Sequence, residues 1–456
     1  MSCSQIINSV VKNDLCTGCG LCTLACSNNS LKMELNEYGF YIPVKIKECS
    51  SECQCIKVCP FNPTPDLEVR TENEIADLFL QQENPHTQDQ IGRYTGLYAG
   101  YSIENRLSSS SGGIATYILT ELLKKGVIQH VISVKESKFA EKHYEYIISS
   151  TEEELKSASK TKYYPVTLEN SLKKIKELNG NIAIVGVACF IKAIRLAQHY
   201  DPVLKQKINF LVGIICGGIK STFFAEYLAS KAGVSPSEYK KPNFRVKDIN
   251  STASNYAFSC MDKAGEEKLI KMWKVGDMWG TGLFKANACD FCDDVTTELA
   301  DISLGDAWIE PFSNDGKGTN VIVTRSKLAE ILIQEGISKK ELFISQLSEE
   351  QFIKSQQGSF NHRHVGLLYR KNKYLSKNIQ IAPKRFDNLK ISLLLKLIQK
   401  MRMRTREKSL EYWKEEKNAQ VFDKKMHASL FILKKITRLN HIQRGIIRRI
   451  KKVLPL

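Results

Sequence analysis

Cysteine crowding near the amino terminus is the feature of this sequence that most limits how it can fold. Eight of the fourteen cysteines fall between Cys16 and Cys59, in a chain of 456 residues. The first residues lack the basic segment and long apolar core of a secretory signal, so we expect a reducing, cytoplasmic setting in which disulfides are rare. Clustered cysteines in such a setting more often bind metal or carry out redox chemistry. We therefore expect this segment to hold metal centres.

The first cysteine run has the spacing of one half of a bacterial two-cluster ferredoxin, Cys-x2-Cys-x2-Cys-x3-Cys. Three closely spaced thiolates can take three corners of an iron–sulfur cubane, and the fourth binds the neighbouring cluster. Gly18 and Gly20 let the backbone wrap closely and donate N–H groups to the sulfurs. Zinc sites usually use two separated pairs, so zinc-binding or simply buried thiols are the weaker interpretation. The run consists of Cys16, Cys19, Cys22 and Cys26.

The second run ends like a ferredoxin half-site, with a proline after its last cysteine, but is irregular in the middle. Its members are Cys49, Cys53, Cys55 and Cys59, and Glu52 stands where regular spacing requires a cysteine. The two runs together resemble an α+β two-cluster ferredoxin domain over residues 1–62. The crossed pairing of that family implies one [4Fe–4S] cluster on Cys16, Cys19, Cys22 and Cys59, and a second on Cys26, Cys49, Cys53 and Cys55. For the second site, a three-iron cluster and an altered loop that still delivers Cys53 both stay open.

Beyond a polar connector at residues 63–93, apolar runs alternate with amphipathic segments. Runs such as NIAIVGVA and INFLVGIICGG are typical of buried strands, and IATYILTELLKKG and KSTFFAEYLASKAG of helices. Shorter segments, FRVKD, NYAFSCM and EKLIKMWKV, indicate antiparallel strands. The alternation predicts an α/β domain with a mixed sheet over residues 94–383.

Four further cysteines lie in this α/β region. Cys189 and Cys216 come just after strand-like runs, where open α/β sheets place their sites. Cys289 and Cys292 have the spacing of a metal-binding pair. A third iron–sulfur site on these four is our prediction, and small buried apolar side chains are the alternative.

The order of motifs in this region resembles the family of coenzyme F420 hydrogenase/dehydrogenase beta subunits, over about residues 10–365. The resemblance implies an iron–sulfur flavoprotein that holds FAD beside a third [4Fe–4S] cluster. It also implies coupling of hydride transfer to one-electron transfer, with coenzyme F420 as one candidate carrier. Some family members are associated with cell-surface polysaccharide synthesis, which suggests a link to polysaccharide biosynthesis. The motifs are NRLSSSSGGIATYIL, KTKYYPV, GVACF, IICGGIKSTFFAEYL and ACDFCDDVTTELADISLGDAW.

The resemblance also implies cofactor-binding residues. The Ser/Gly turn and the following helix start would bind a pyrophosphate, since hydroxyls and free N–H groups attract anions. A family Lys-Tyr pair would place a cation beside the flavin or phosphate, and an acidic residue would orient a flavin hydroxyl or a cationic ligand. An ordinary capped loop and a turn carboxylate are the alternatives. The implied residues are Ser108, Ser109, Ser110, Ser111, Gly112, Gly113, Lys162, Tyr163 and Asp306.

The basic charge of the chain is concentrated at its carboxyl end. Residues 384–456 hold 21 Lys and Arg against 6 Asp and Glu, whereas the whole chain has a net charge of +17. Apolar residues such as Ile432, Leu439 and Ile446 recur there at helical spacing, and no apolar run in the chain is long enough to span a bilayer. We predict a detachable, basic amphipathic helix that lies on an anionic membrane. A helical extension packed on the core and nucleic-acid binding are the alternatives.

Together these features predict a cytoplasmic oxidoreductase, peripheral at the inner face of the membrane. Electrons would come from a redox partner protein or carrier, and hydride would be exchanged with a deazaflavin-type carrier or another substrate. Two alternatives stay open: a non-catalytic electron-transfer subunit, and a basic nucleic-acid-binding protein in which the clusters are structural.

Overall fold

Short elements carry the amino-terminal cysteines. The computed structural model describes residues 5–49, 54–81, 85–139, 142–386 and 389–453, with backbone alone from 447; Cys53 lies outside these ranges. Inward-facing Leu31, Met33 and Tyr41 pack against Cys22 in one apolar cluster, as the alternation of strand side chains requires. The elements of this segment are α1 (Leu21–Leu24), β1 (Leu31–Leu35), its antiparallel partner β2 (Tyr41–Lys45), and α2 (Gln54–Lys57).

The connector is packed rather than loose. Its helix α3 (Glu72–Phe79) begins with a capping box in which Thr71 and Glu74 satisfy each other's backbone N–H groups. Ile75 is fully buried in the same core cluster as the main domain. A short hairpin of β3 (His86–Gln88) and β4 (Gly92–Tyr94) follows.

A mixed eight-stranded sheet forms the centre of the described chain, in the order β15-β5-β14-β13-β9-β8-β6-β7. Strands β6, β8, β9 and β13 are mutually parallel, and antiparallel strands flank them. The predicted mixed sheet is confirmed. The strands, with those of a smaller sheet, are β5 (Gly96–Ser102), β6 (His130–Glu136), β7 (Tyr144–Ser149), β8 (Ile182–Val187), β9 (Ile208–Ile214), β10 (Lys240–Val246), β11 (Ala257–Met261), β12 (Glu267–Lys271), β13 (Ile302–Asp306), β14 (Asn320–Thr324) and β15 (Leu342–Gln346).

Helices cover both faces of this sheet. On β8, Ile182 and Ile184 join the core cluster that contains α7, whereas Ala183 joins the cluster that contains α4 and α11. Two buried faces explain why these strands are continuous apolar runs. The helices are α4 (Ile114–Lys124), α5 (Glu152–Ser157), α6 (Glu169–Lys174), α7 (Ala188–Tyr200), α8 (Pro202–Lys207), α9 (Thr222–Lys231), α10 (Met272–Val275), α11 (Lys327–Ser338), α12 (Glu349–Ser355), α13 (Gln357–Phe360) and α14 (Gly366–Leu375).

The carboxyl edge of the sheet collects the predicted site residues. Cys189 follows β8, Cys216 follows β9, and Asp306 ends β13, so parallel strands bring all three to one edge. Strand β5 runs in the same direction and leads into the Ser/Gly turn before α4. Strands β10, β11 and β12 form the predicted antiparallel sheet beside this edge.

The carboxyl-terminal segment is part of the core for half its length, so the prediction of a detachable tail is wrong. Helix α15 (Leu393–Glu415) buries Trp413 completely, and α16 (Ala419–Val453) buries Phe422 and Met426 in the same cluster. The prediction of a free tail rested on the net charge of the segment. Net charge does not reveal which side of a helix is buried. Among the described residues, no helix combines the length and apolar character needed to cross a bilayer.

Candidate functional site

Four cysteines of the two amino-terminal runs come together in a first thiol group: Cys16, Cys19, Cys22 and Cys59. Burial, and then repulsion by Cys19, Cys16 and Cys59, holds the pKa of the Cys22 thiol well above its usual range. Burial likewise raises the pKa of Cys16 to about 12. None of the four is in a disulfide. Thiolates this close and this deep need a compensating cation.

Backbone geometry around the first thiol group fits an iron–sulfur cluster. The Gly18 N–H donates to Cys16 Sγ at 3.4 Å, and the backbone N–H groups of Gly20 and Leu21 approach Cys19. Gly18 and Gly20 both have φ near +80°, in the left-handed region. A Cβ on Gly20 would lie 2.4 Å from Thr167 Oγ1. The loop therefore combines N–H donors with a conformation that glycine alone adopts easily.

The other described cysteines of the two runs are Cys26, Cys49 and Cys55, which we call the second thiol group. Cys26 and Cys55 are buried, and all three belong to or pack on the apolar cluster that also contains Cys22. The Ser30 N–H donates to Cys26 Sγ at 3.2 Å. Because Cys53 lies outside the described residues, the crossed pairing of the two runs stays a prediction.

A third thiol group forms from the scattered cysteines Cys189, Cys216, Cys289 and Cys292. Burial, and then Cys292, Cys289 and Cys216, raises the pKa of the Cys189 thiol well above its usual range. Cys19 of the first thiol group also contributes. The group therefore brings together all four cysteines that the sequence analysis singled out. The third thiol group therefore lies beside the first.

Hydrogen-bond donors also surround the third thiol group. The Gly218 N–H donates to Cys216 Sγ and the Ile219 N–H to Cys289 Sγ, both at 3.2 Å. The described residues contain no set of side chains closed tightly around a single metal ion. Hydrogen bonds to the cysteine sulfurs are one means by which a protein tunes an iron–sulfur cluster, so these backbone donors fit such a group.

Arg363 is a site residue that the sequence analysis missed. Its guanidinium is 4% exposed and donates to Cys292 Sγ at 3.1 Å, to the Asp294 carbonyl at 2.7 Å and to the Cys216 carbonyl. It comes from a helical turn more than seventy residues after the cysteine pair. No sequence motif signals such a contact, since it depends on the tertiary fold.

Buried ion pairs brace the loop of Cys289 and Cys292. Against the effect of burial, Lys285 and Arg406 hold the pKa of Asp290 well below its usual range. Lys285 Nζ lies 2.5 Å from Asp290 Oδ1, and Lys384 Nζ lies 3.4 Å from an Asp293 oxygen. Arg406 belongs to α15, so the carboxyl-terminal helices help to fix this loop.

A cavity of about 780 Å³ opens beside the third thiol group, and Cys216 lines it. The Ser/Gly turn and the Lys-Tyr pair contribute to its wall, as the resemblance implied. Ser108 is exposed and Gly112 is packed against the Gly100 carbonyl, so these two do not line it. Of the implied cofactor residues, those in the wall are Ser109, Ser110, Ser111, Gly113, Lys162, Tyr163 and Asp306.

The cavity wall contains polar atoms that lack partners. Ser109 Oγ, Ser133 Oγ and Arg245 Nε are buried with no hydrogen-bond partner among the described residues, and all three residues line the cavity. Unsatisfied buried donors and acceptors cost about 1–3 kcal/mol each. Several in one cavity indicate that a polar ligand completes it.

Asp306 forms an ion pair with Arg245 in the cavity wall. Its two carboxylate oxygens accept from Arg245 at 2.6 and 3.3 Å, and the guanidinium lies 4.5 Å from the centroid of the Tyr256 ring. The acidic residue thus orients Arg245, a cavity residue that the sequence analysis missed.

Two buried lysines supply further positive charge. Burial lowers the pKa of Lys162 to about 7, and its Nζ donates to the Ala158 and Ser159 carbonyls. Burial also lowers the pKa of Lys220 to about 7, with Nζ 4.6 Å from the Trp279 ring centroid. An anion in the cavity would favour the protonated form of each.

Sequence profiles place the chain among known proteins. The amino-terminal profile of the coenzyme F420 hydrogenase/dehydrogenase beta subunit matches residues 97–173, and the carboxyl-terminal profile matches residues 179–350. Together the two matches cover more than half of the chain.

Similar proteins come from methanogenic archaea. The chain is 24% identical to the coenzyme F420-dependent sulfite reductase of Methanocaldococcus jannaschii over 74% of its length, but spans only 49% of that relative. It is also 24% identical to one of the subunits of the F(420)H(2) dehydrogenase of Methanosarcina mazei, over 67% of this chain and 81% of that one.

A solved structure is also similar. A chain of the F420-reducing [NiFe] hydrogenase complex from Methanosarcina barkeri aligns with a TM-score of 0.49 and 19% identity, over 65% of this chain and 99% of that one. The two profile matches establish the family: the chain belongs to the family of coenzyme F420 hydrogenase/dehydrogenase beta subunits.

Proposed function

We propose that this chain is an iron–sulfur flavoprotein oxidoreductase that couples one-electron transfer through [4Fe–4S] clusters to hydride transfer at a flavin. The observation that carries the proposal is the position of Cys216, which belongs to the third thiol group and also lines the cavity. A metal centre and an organic cofactor would therefore share one residue of wall. The redox names of the relatives are consistent with this role.

The cavity residues fit FAD. The Ser109–Ser111 turn and N–H groups in the first turn of α4 would hold the pyrophosphate, since Gly113 starts that helix without a side-chain cap. In that turn, the Ile114 N–H already donates to Asn320 Oδ1, at 3.4 Å. Arg245 would donate from its free Nε, and Lys162 would stabilise negative charge. When bound, a flavin exchanges hydride with an organic partner and single electrons with metal centres. We propose a deazaflavin-type carrier such as coenzyme F420 as that partner.

The three thiol groups form a series that ends at the cavity. Cys55 of the second group and Cys59 of the first are both close enough to Cys22 to raise its pKa electrostatically. In the same way, Cys19 of the first group raises the pKa of Cys189 of the third. One apolar cluster, which includes Phe61 and Phe291, contains or contacts cysteines of all three groups. This arrangement suits single electrons passing between an external redox protein and the cavity.

Anaerobic purification with iron, sulfide, zinc and flavin analysis tests the proposal. We expect about twelve iron atoms per chain, four for each of three clusters, together with FAD. About eight iron atoms and no flavin would instead indicate a non-catalytic electron-transfer subunit. Zinc in place of iron would rule out both functions.

Binding of FAD is expected to depend on pH through Lys162. Its pKa is about 7 in the free cavity because burial disfavours the charge, and a bound pyrophosphate raises that pKa. Binding then takes up a proton, so the affinity should rise as pH falls from 8.5, by up to about tenfold per unit, and level off below about 7. Fluorescence titration of flavin-depleted protein measures it.

Two variants test this assignment. Lys162→Met should reduce the pH dependence to the part that Lys220 contributes, whereas Lys138→Met, at an exposed lysine, should leave it unchanged. Equal slopes in Lys162→Met and the parent chain would show that another group takes up the proton.

Arg363→Gln is expected to lower the reduction potential of the third cluster. The guanidinium donates to Cys292 Sγ at 3.1 Å, and an added electron strengthens such a bond. Losing a charge-assisted hydrogen bond worth about 1.5 kcal/mol in the reduced state corresponds to about 60 mV for a one-electron couple. A redox titration followed by electron paramagnetic resonance measures the shift.

The matched control is Arg363→Lys, which keeps the positive charge. It should lower the potential less than Arg363→Gln, with the iron content equal in all three proteins. An unchanged potential in Arg363→Gln at full iron content would contradict a tuning role for this residue.

A further inference from the structure

Helix α16 presents an apolar stripe that no other described residue covers. Phe431, Ile432, Leu439, Ile442 and Ile446 are each 46–54% exposed. At about 100° per residue these five positions fall within about 100° of arc, on one side of the helix. Leu433, by contrast, is buried against the protein. The helix therefore has two apolar sides, one turned to the core and one turned outward.

Positive charge accompanies this outward stripe. From Lys424 to the end, the sequence contains ten Lys and Arg and no Asp or Glu. Lys434 and Arg438 are exposed on one flank of the stripe, and the exposed Lys435 falls within its arc. Residues 1–383 carry 45 basic and 43 acidic side chains. The strong positive field is therefore local to the end of the chain, where the apolar stripe lies.

We propose that α16 docks this protein on a bilayer surface that carries anionic headgroups. Exposed aliphatic side chains would enter the boundary between headgroups and acyl chains, while the adjacent cations meet the headgroup charge. Nucleic acid fits less well, because single-stranded nucleic acid stacks on aromatic rings and base-paired nucleic acid does not solvate aliphatic side chains. Phe431 is the one aromatic side chain in the stripe.

The anchoring of α16 gives this contact a fixed geometry. Phe422, Met426 and Leu433 hold its first half on the core, so the protein docks as a rigid body instead of hanging from a flexible tether. The outward stripe runs from Phe431 to Ile446, on the side of the helix away from Leu433. This inference is independent of the proposed redox chemistry, since it rests on residues outside the cavity and outside the thiol groups.

Sedimentation of the full-length holoprotein with vesicles tests the proposal. We expect binding to vesicles of phosphatidylglycerol and phosphatidylcholine at low salt, and little binding to phosphatidylcholine alone. The triple variant Lys434→Gln, Lys435→Gln, Arg438→Gln should weaken partitioning by about a hundredfold, since each cation near the surface contributes about equally. The apolar variant Leu439→Gln, Ile442→Gln, Ile446→Gln should weaken it by at least about tenfold.

The matched control removes three exposed cations elsewhere, by Lys32→Gln, Lys241→Gln and Lys263→Gln, and should bind vesicles like the parent chain. Equal weakening by this control would show general charge attraction and overturn the proposal. Absence of binding to anionic vesicles would overturn it too, as would tighter binding to a duplex or single-stranded oligonucleotide measured by fluorescence anisotropy. Unchanged iron content and melting temperature will show that each variant is folded.

Discussion

Cys216→Ala is expected to remove about four of about twelve iron atoms per chain and to disconnect the cavity from the other clusters. Cys216 lines the cavity and belongs to the third thiol group, so its loss breaks the series at its last member. The flavin should stay bound, because the polar atoms of the Ser/Gly turn and Arg245 are untouched. Reduced ferredoxin, which is too large to enter the cavity, should then bleach the bound flavin orders of magnitude more slowly in stopped-flow experiments.

The control for this experiment is Cys260→Ala. Cys260 is also a buried cysteine, but it lies on β11 in the core of the smaller sheet, away from the three thiol groups. Its iron content and flavin bleaching should match those of the parent chain. Full iron content in Cys216→Ala would exclude this residue as a ligand and with it the shared wall on which the proposed function rests.

Ending the chain at residue 383 is expected to prevent folding. The deletion removes Trp413, whose loss alone costs about 3–5 kcal/mol at a buried site. It also leaves Asp293 without Lys384 and Arg385, and an unpaired buried charge costs about 3–5 kcal/mol. The sum reaches the whole stability of a typical domain, about 5–15 kcal/mol. Soluble yield, circular dichroism and iron content measure the effect.

A chain that ends at residue 437 is the matched comparison. It keeps Trp413, Phe422, Met426 and Leu433 in the core and loses most of the outward stripe of α16. This protein should fold with full iron content and bind anionic vesicles weakly. Normal folding of the chain that ends at 383 would show that the tail is detachable after all.

The sequence predicted the sheet and its edge well, for a local reason. Buried parallel strands need continuous apolar runs, and NIAIVGVA and INFLVGIICGG became β8 and β9. Because parallel strands end at one edge, Cys189 and Cys216 could be expected to meet there. The Lys-Tyr pair and most of the Ser/Gly turn, to which the family resemblance pointed, also line the cavity.

Contacts between distant segments could not be predicted. Arg363 reaches Cys292, and Arg245 reaches Asp306, across 71 and 61 residues of chain. Lys220 belongs to no motif that the sequence analysis singled out, and the fold buries it beside Trp279. The carboxyl-terminal segment misled us in the same way, since Arg406 adds to a net charge whether it faces solvent or neutralises a buried aspartate.

The close contact between the loop of Gly20 and the segment of Thr167 and Leu168 has a consequence for the speed of electron transfer. The Leu168 N–H donates to the Cys19 carbonyl at 3.0 Å, and a side chain at position 20 would collide with Thr167. A backbone hydrogen bond and close packing thereby fix the amino-terminal segment on the main domain. The distance between the first and third thiol groups is therefore fixed by the fold, and internal electron transfer needs no domain movement. Its rate should not change when sucrose raises the viscosity of the solvent.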